Sequence, residues 1–335
     1  MSNNQGNTKY AVLKQALAKV YKAPKGASSF AIEPSTAQSI NEKITAKSDF
    51  LERINIVPVS EIKGEKVMLG VTGPVTGRTN IKTTDREPRD FSSLDNNTYE
   101  LSPTESDVSL PFSKLDAWAK FPDFHKRYSD AVEKQIALDR MMVGFRGTHS
   151  AAQTDIEAFP MLEDVNKGWL QQARERVPGQ VLSQGLEAGK IRLGEGGDYA
   201  NLDSLVYGVM RTIEDNFRDG GDLIAIIGSD LLAHDKAVLY AKQAGTPTEK
   251  ERIESAQVVS TYGGVPSFSV PFFPVNAVLV TSWDNLSIYF QDSSWRVLML
   301  ENPKRNRVED YNSRNEGYVV EQFEKLAMAE NVELV

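Results

Sequence analysis

The stretch FPDFHKRYSDAVEKQIALDRMMVGFRG, residues 121–147, decides how the rest of the chain is interpreted. Its apolar side chains recur at alternating four- and three-residue steps, which is the spacing of one helix face. Asp123 is a suitable N-cap, and Gly144 or Gly147 a suitable stop. The pattern predicts a helix over 123–145, about 35 Å long. The predicted buried stripe consists of Phe124, Tyr128, Ala131, Gln135, Leu138, Met142 and Phe145, widened by Val132, Ile136 and Met141.

The periodicity of this helix leaves two interpretations open. It suits the core of an ordinary α/β domain, and it equally suits the spine of a flat, extended subunit. The composition, with 40% apolar and 25% charged residues, is that of a soluble chain that buries a core. No stretch approaches the 18 apolar residues of a membrane span, and the first ten residues lack the pattern of a secretory signal. The absence of cysteine excludes disulfides, thiolate chemistry and Cys-ligated metals, and is compatible with the cytoplasm.

The net charge of −8 argues against wholesale nucleic-acid binding, but it is unevenly distributed. Residues 1–29 carry +5, which leaves −13 for the rest of the chain. Within residues 1–29, called the basic head below, the sequence of 9–22 predicts an amphipathic helix with lysines around an apolar face. It is expected to pack on its own protein, or to lie on a membrane, a nucleic acid or the groove of a partner. The linker from Pro24 to Ser29 is predicted to be flexible.

The region from residue 60 to residue 111 differs in character from what precedes it. Residues 35–47 predict a helix capped by Ser35 or Thr36, and 54–59 predict a strand. The following fifty or so residues hold few large apolar side chains and cannot form a core alone. Only 66–71 predicts a strand there, with turns at Gly73-Pro74 and Gly77. The region is therefore either a disordered surface loop or an excursion that is supported by a neighbouring molecule.

The second half of the chain predicts a more conventional arrangement. A glycine-rich hinge at 189–197 precedes a compact α/β unit at 197–282, whose first helix is capped by Asn201 or Asp203. The predicted helices are 161–176, 203–217, 229–240 and 247–256, and the main predicted strands are 222–228, 275–281, 286–290, 296–299 and 318–328.

No constellation of residues predicts an active site. His125, His149 and His234 are scattered, without a second ligand at metal spacing, so structural or surface roles are expected. The glycines of 194–197 are interpreted as a hinge, because neither phosphate-loop pattern is complete. The strand-to-helix turn at 226–230 is a place where α/β proteins bind ligands, but its Ser and Asp are already explained as helix caps. We therefore predict no catalytic residue, no cofactor and no metal.

Eight blocks of the sequence are read together: FAIEPS (30–35), SDFLERINIVPVSE (48–61), KGEK (63–66), GVTG (70–73), GGDYA (196–200), NLSIYF (285–290), ENPK (301–304) and RVEDY (307–311). They resemble the P2-type phage major capsid proteins, which are similar to the HK97-fold capsid proteins. The resemblance covers nearly the whole chain from about residue 30 and is weak at 75–110 and 180–192.

The resemblance implies an α+β, HK97-like capsid fold and names its parts. The expected parts are a basic pro-segment or scaffold-contact helix (1–29), an N-terminal arm (30–57), an extended loop laid over a neighbour (58–113), a peripheral domain with its spine helix (114–196), an axial domain (197–282) and strands returning to the peripheral domain (283–335). The expected inter-subunit residues of the loop are Gly70, Val71, Thr72, Gly73, Pro74 and Gly77.

The implied function is that of a major capsid protein of a tailed phage, forming hexamers and pentamers of an icosahedral shell around double-stranded DNA. The implied partners are further copies of the chain, a scaffolding protein, a protease that trims the chain near Ser29 and Phe30, and a portal protein. Assembly in the host cytoplasm and residence in the virion follow, with no membrane contact. Covalent crosslinking is not implied, because its Lys, Asn and acid are not matched. The alternatives are a soluble α/β enzyme or ligand-binding protein centred on 222–235, and an encapsulin-like compartment.

Overall fold

The computed structural model describes residues 15, 29–66, 69–71, 78–79, 92–94, 97–118, 121, 123–243 and 261–335. Apart from Gln15, the predicted helix over 9–22 lies outside these residues. The predicted turns at Gly73-Pro74 and Gly77 and the predicted helix over 247–256 also lie outside them.

The helices are α1 (Pro34–Thr45), α2 (Phe112–Trp118), α3 (Phe124–Arg146), α4 (Trp169–Arg176), α5 (Leu202–Met210), α6 (Asp215–Arg218) and α7 (Ser229–Gln243). The strands are β1 (Ser29–Ala31), β2 (Asn55–Val59), β3 (Lys63–Lys66), β4 (Leu69–Val71), β5 (Ser92–Leu94), β6 (Asn97–Glu100), β7 (Ser102–Glu105), β8 (Val108–Pro111), β9 (Val181–Leu182), β10 (Ile191–Leu193), β11 (Ile224–Ile227), β12 (Thr261–Tyr262), β13 (Val265–Phe268), β14 (Val278–Thr281), β15 (Leu286–Gln291), β16 (Arg296–Asn302), β17 (Arg307–Val320), β18 (Ala327–Ala329) and β19 (Val332–Leu334).

The larger sheet is built around β17, a strand of 14 residues. Its order is β1-β16-β17-β15-β2, and β7 and β8 also pair with β17. The helices α1 and α3 contact each other, and their apolar side chains join one core with those of this sheet. That core contains Ile40, Ile136, Trp169 and Ile288, all of them buried.

The long helix α3 begins and ends one residue later than predicted, and its buried face is rotated from the predicted stripe. Ala131 and Gln135, predicted to be buried, are exposed, whereas Arg140 is buried. Asp123 makes no capping hydrogen bond and instead pairs with Arg127. The spacing of apolar residues did not locate this face, because the charged residue Arg140 lies at its centre. Arg140 can be buried there because it has buried partners on the sheet.

The smaller sheet has the order β12-β13-β11-β14-β18-β9 and is covered on both faces. One face packs against α5, and the other joins the core beneath α3. Burial on both faces explains why the central strands β11 and β14 consist almost entirely of apolar residues.

The predicted strand over 318–328 is wrong, because the chain changes sheets within it. The strand β17 ends at Val320, and β18 pairs antiparallel with β14 in the smaller sheet. The side chain of Asn285 holds the crossing: it donates to Gln322 O at 2.9 Å and accepts from Gln322 N at 2.6 Å. Phe323 and Leu326 are buried just beyond it.

Three other predicted elements are corrected by the structure. The helix predicted over 161–176 begins only at Trp169, since Leu162 has a φ of 57° and Gly168 is the N-cap. The hinge predicted at 189–197 contains the strand β10, which pairs in parallel with β19. The helix predicted over 203–217 is divided into α5 and α6, with Asn201 as the cap of α5.

A buried group of charged side chains joins α3 to the larger sheet. The residues Arg140, Glu316 and Arg314 are 1%, 1% and 3% exposed. The guanidinium of Arg140 donates to Glu316 Oε1 (3.0 Å from Nε) and to Asn41 Oδ1 of α1 (2.6 Å from Nη2). Burial alone would raise the pKa of Glu316, but the two guanidiniums lower it to about 2.

The second arginine of this group extends it to a further part of the chain. Arg314 donates to Glu316 and, through Nη1, to Ser106 Oγ at 3.0 Å. Its guanidinium also lies 5.3 Å from the ring of Trp295. The charged group therefore connects α1, α3, β17 and the segment between β7 and β8.

Replacing Arg140 with Met removes one of the two charges that balance Glu316 while keeping an unbranched side chain. We expect Arg140→Met to lower the free energy of unfolding of the subunit by about 3–5 kcal/mol, because a buried carboxylate is left under-compensated. Arg127→Met on the same helix is the matched control, since the Arg127–Asp123 pair is exposed and screened by solvent and should contribute little. Urea unfolding followed by circular dichroism measures both. Equal losses in the two variants would contradict the role of the cluster.

Candidate functional site

The predicted extended loop is rooted in the subunit's own sheet. The strands β7 and β8 pair antiparallel with β17, with Ser102 opposite Glu316 and Val108 opposite Asp310. Leu101 and Leu110 are 3% and 6% exposed. The expectation that 66–71 holds the only strand of the region is therefore wrong, because its last part is structured by β17.

Tyr99 marks the place where the loop leaves the sheet. Its ring lies 5.1 Å from the ring of Tyr289 on β15, and the backbone of Gly64 packs against it. The hydroxyl of Tyr289 donates to Glu321 Oε1 at 3.1 Å. Burial raises the pKa of Tyr289, and the charge of Glu321 raises it further. This contact fixes the direction in which the loop departs.

The described strands of the loop form two-stranded ribbons. The strands β3 and β6 pair only with each other, and so do β4 and β5, among the residues that the structure describes. Gly70 and Val71 lie in β4, opposite Ser93 and Ser92. The other predicted inter-subunit residues of the loop, Thr72, Gly73, Pro74 and Gly77, lie outside the described residues. An isolated two-stranded ribbon is at best marginally stable in water, so these ribbons need support from elsewhere.

The predicted processing region lies at the opposite edge of the sheet. Ser29 and Phe30 belong to β1 and pair antiparallel with Leu298 and Val297 of β16. Ser29 was expected to be part of a flexible linker, and this expectation is corrected for Ser29 itself. The segment is extended and has a strand neighbour on one side only within the described part of the chain.

The glycine-rich turn at 194–197 is explained by packing and by internal hydrogen bonds. Gly194 N donates to Tyr199 O at 2.9 Å, and a Cβ at Gly194 would lie 2.3 Å from Val335 O. The next residue, Asp198, accepts hydrogen bonds from Leu186 N and Arg192 N, each 2.7 Å, and these lower its pKa. This arrangement builds a loop and not a phosphate site.

The strand-to-helix turn at 226–230 also leaves no space for a ligand. A Cβ at Gly228 would lie 2.2 Å from Val275 O, and Gly228 N donates to Ala277 O at 2.9 Å. The neighbouring chain therefore occupies the position where a ligand of an α/β protein would approach.

The described residues offer no metal centre. None of their His, Asp and Glu side chains form a group of three able to hold an ion. His149 lies 5.5 Å from the ring of Phe159, and His125 and His234 are partly exposed on helices. No helix within the same residues combines the length and the apolar character that a membrane crossing requires.

Sequence comparisons identify relatives over nearly the whole chain. The model of the family described as "Phage major capsid protein, P2 family" matches residues 9–332. The chain is 40% identical over 316 residues to the capsid protein of Escherichia phage P2. This alignment covers 91% of this chain and 87% of that protein. It is 32% identical over 312 residues to the major capsid protein of Serratia phage KSP20, covering 91% and 90%.

Solved structures show the same architecture. A chain of the satellite phage P4 procapsid that includes the size determination protein matches with a TM-score of 0.80 at 37% identity, covering 100% of this chain and 99% of that one. The capsid of an empty GTA particle matches with a TM-score of 0.52 at 15% identity, over 86% and 90% of the two chains, which shows the fold alone. The expected α+β, HK97-like fold is confirmed. This chain belongs to the P2 family of phage major capsid proteins.

Proposed function

We propose that this major capsid protein forms hexamers and pentamers of an icosahedral shell in which each extended loop lies on a neighbouring copy. One observation supports this most directly: the loop is rooted on β17, but its ribbons pair with no other strand among the described residues. An adjacent subunit supplies the missing support, and many weak contacts of this kind add up in a closed shell. The alternative of a soluble α/β enzyme is rejected, because the relatives are structural capsid proteins.

We propose that the two sheets correspond to the two domains implied by the resemblance. We assign the larger sheet with α3 to the peripheral domain and the smaller sheet to the axial domain. The axial domain then includes β9 and β18, which lie outside 197–282 in sequence but pair within its sheet. With this proposed assignment, residues 283–335 contribute strands to both domains, whereas the resemblance implied the peripheral domain alone.

The shell is proposed to enclose double-stranded DNA without reading its sequence. The charge of −13 on residues 30–335 supports this, since a strongly basic wall would bind phosphates tightly and resist filling and emptying. DNA also separates this function from an encapsulin-like compartment, whose content is protein.

The basic head is proposed to contact a scaffolding protein and to be removed by a phage protease near Ser29 and Phe30. A portal protein is the expected partner at one vertex. The structure supports the cut by its placement of these two residues in a short edge strand, whose extended backbone is the form that a strand-adding partner binds. Three paired residues at a sheet edge are also few enough to detach locally.

The root of the loop contains a buried acid with a raised pKa. Asp310 lies on β17 beside β8, and its side chain is buried in contact with α3. Tyr128 donates to Asp310 Oδ2 at 3.0 Å, whereas Oδ1 has no partner within the described residues. Burial raises the pKa of Asp310 to about 6 despite the Tyr128 hydrogen bond, and the carboxylate of Asp107 adds to the rise.

Removing the outer loop tests the support that a neighbour provides. Val71 and Ser92 are partners at the end of β4 and β5, so a two-residue Asn-Gly turn in place of 72–91 closes the ribbon. We expect a subunit with a melting temperature within a few degrees of the parent that forms no closed shells with its scaffold in negative-stain microscopy. Thr72→Asn is the matched control, because it creates the same Asn-Gly pair in the full-length loop. Normal shells from the shortened chain would contradict the proposal.

The pH response of the root follows from the raised pKa of Asp310. A group whose pKa is higher in the folded state stabilises that state below its unfolded pKa and loses this effect as pH rises through about 6. We therefore expect Asp310→Asn to raise the free energy of unfolding relative to the parent at pH 7.5, by up to about 3 kcal/mol. The advantage should shrink steadily towards pH 4.

Urea titrations between pH 4 and pH 7.5 measure this difference. Asp219→Asn is the control, since the side chain of Asp219 is exposed. A difference between Asp310→Asn and the parent that is independent of pH, or that grows towards low pH, would show that Asp310 does not titrate as described.

Intact-mass spectrometry tests the removal of the head. Particles matured in the presence of the phage protease should contain a subunit whose mass corresponds to loss of the residues up to about Ser29. Shells assembled without the protease should retain the full mass. Mature particles that keep 1–29 would refute the cut.

A further inference from the structure

A groove of about 350 Å³ lies between α1 and the edge strand β2. The helix contributes Gln38, Glu42 and Ala46 to one wall, and the sheet contributes Ile54, Ile56 and Pro58 to the other. The strand β2 is at the end of its sheet and pairs only with β15 among the described residues. The groove therefore combines a partly exposed apolar wall with an open strand edge.

The charges of the groove have a single sign. Its charged lining residues are Glu42 and Glu52, both exposed, and the described residues place no lysine or arginine in the lining. Neither glutamate forms an ion pair with another described residue. A ligand that fits this groove is an apolar stripe flanked by positive charges.

We propose that residues 9–22 of the same chain bind in this groove as an amphipathic helix. The sequence of that segment predicts Tyr10, Leu13, Leu17 and Val20 on one face, which matches the apolar wall. Its lysines flank that face and are opposite in charge to the two glutamates of the groove. Both the apolar and the charged features of the groove thus find their complement in one segment.

The length of the linker allows this placement. Seven residue steps separate Lys22 from Ser29, and an extended chain covers at most about 25 Å over that length. The strands β1 and β2 lie on the same side of β17, since β16 and β15 both pair with the side of β17 that faces away from β7. Ser29 is level with Tyr311 and Pro58 is level with Glu316, a displacement of five residues along the strand, or about 17 Å. The segment of the same molecule therefore reaches the groove.

Docking of 9–22 would cover the strand that leads directly into the extended loop. If the chain assembles as proposed above, the head shields this apolar edge before assembly, and its removal uncovers the edge for a contact in the mature shell. The docking itself concerns the isolated subunit and stands or falls independently of shell formation.

Disulfide trapping tests the docking, because the chain contains no cysteine of its own. Leu17→Cys combined with Ala46→Cys places one thiol on the apolar face of the segment and one on the rim of the groove. Gln15→Cys combined with Ala46→Cys is the matched control, since Gln15 lies on the opposite face of the predicted helix. Both double variants of the full-length subunit are oxidised before assembly and examined by non-reducing electrophoresis and peptide mass spectrometry.

We expect an intramolecular disulfide in the Leu17 variant that is at least several-fold more abundant than in the Gln15 variant. A disulfide found only between two molecules would overturn the proposal by assigning the groove to another copy. Equal yields in both variants, or none in either, would overturn it as well. A chain that forms normal shells but gives no intramolecular disulfide would refute the docking alone.

A second measurement tests the charge complementarity without cysteines. In Glu42→Gln combined with Glu52→Gln, the docked segment should be released more often, so trypsin should cut at Lys14 and Lys19 within it several-fold faster than in the parent. Glu195→Gln, which removes an exposed acid far from the groove in sequence, should leave the rate unchanged. Identical cleavage rates in the parent and the double variant would contradict a contact between the lysines and these glutamates.

Discussion

The buried contact of Arg140 with Glu316 is the interaction on which the rest of the subunit depends. It fixes the longest helix across the longest strand at one defined position, since displacing either element would leave a charge unpaired in a site without water access. Asn41 brings α1 to the same point, and Arg314 brings the segment between β7 and β8. Helix, arm, sheet and loop root therefore share one polar junction within an apolar core.

The strand β17 connects this junction to the rest of the sheet and serves as the platform on which the neighbouring strands pair. It pairs with β15, β16, β7 and β8, so the returning chain and both strands of the loop root are held by one element. What lies beyond Tyr99 has no such platform within the described residues. We propose that the loop depends on its surroundings for stability, whereas the strands held by β17 do not, as a shell of repeated copies requires.

The sequence predicted the elements that local patterns determine. Helix α3 and strand β11 were located because their periodicity or continuous apolar character exceeds that of their flanks. The interior position of Arg140 was missed, since its partner Glu316 is 176 residues away and no local rule connects them. Along β17, the inward positions include Asp310, Asn312, Arg314 and Glu316, so the alternation of apolar and polar residues that marks a half-buried strand is absent.

Other errors have the same cause. The ribbon strands of the loop carry few apolar residues, and their pairing depends on partners rather than on propensity. The crossing from β17 to β18 is held by one asparagine side chain, and the continuous pattern of apolar residues hides it. The assembly role itself was reached through the family resemblance, while the lack of internal support for the loop was already visible in its composition.

Hydrogen exchange of isolated subunits compared with assembled shells tests the central claim most directly. Amides of β7 and β8 should be protected in both states, because β17 holds them within each subunit. Amides of β3, β4, β5 and β6 should exchange rapidly in the isolated subunit and become protected in the shell, where a neighbouring copy covers them. Equal protection of the ribbons in both states would contradict the account, since it would show that the loop is stable without a neighbour.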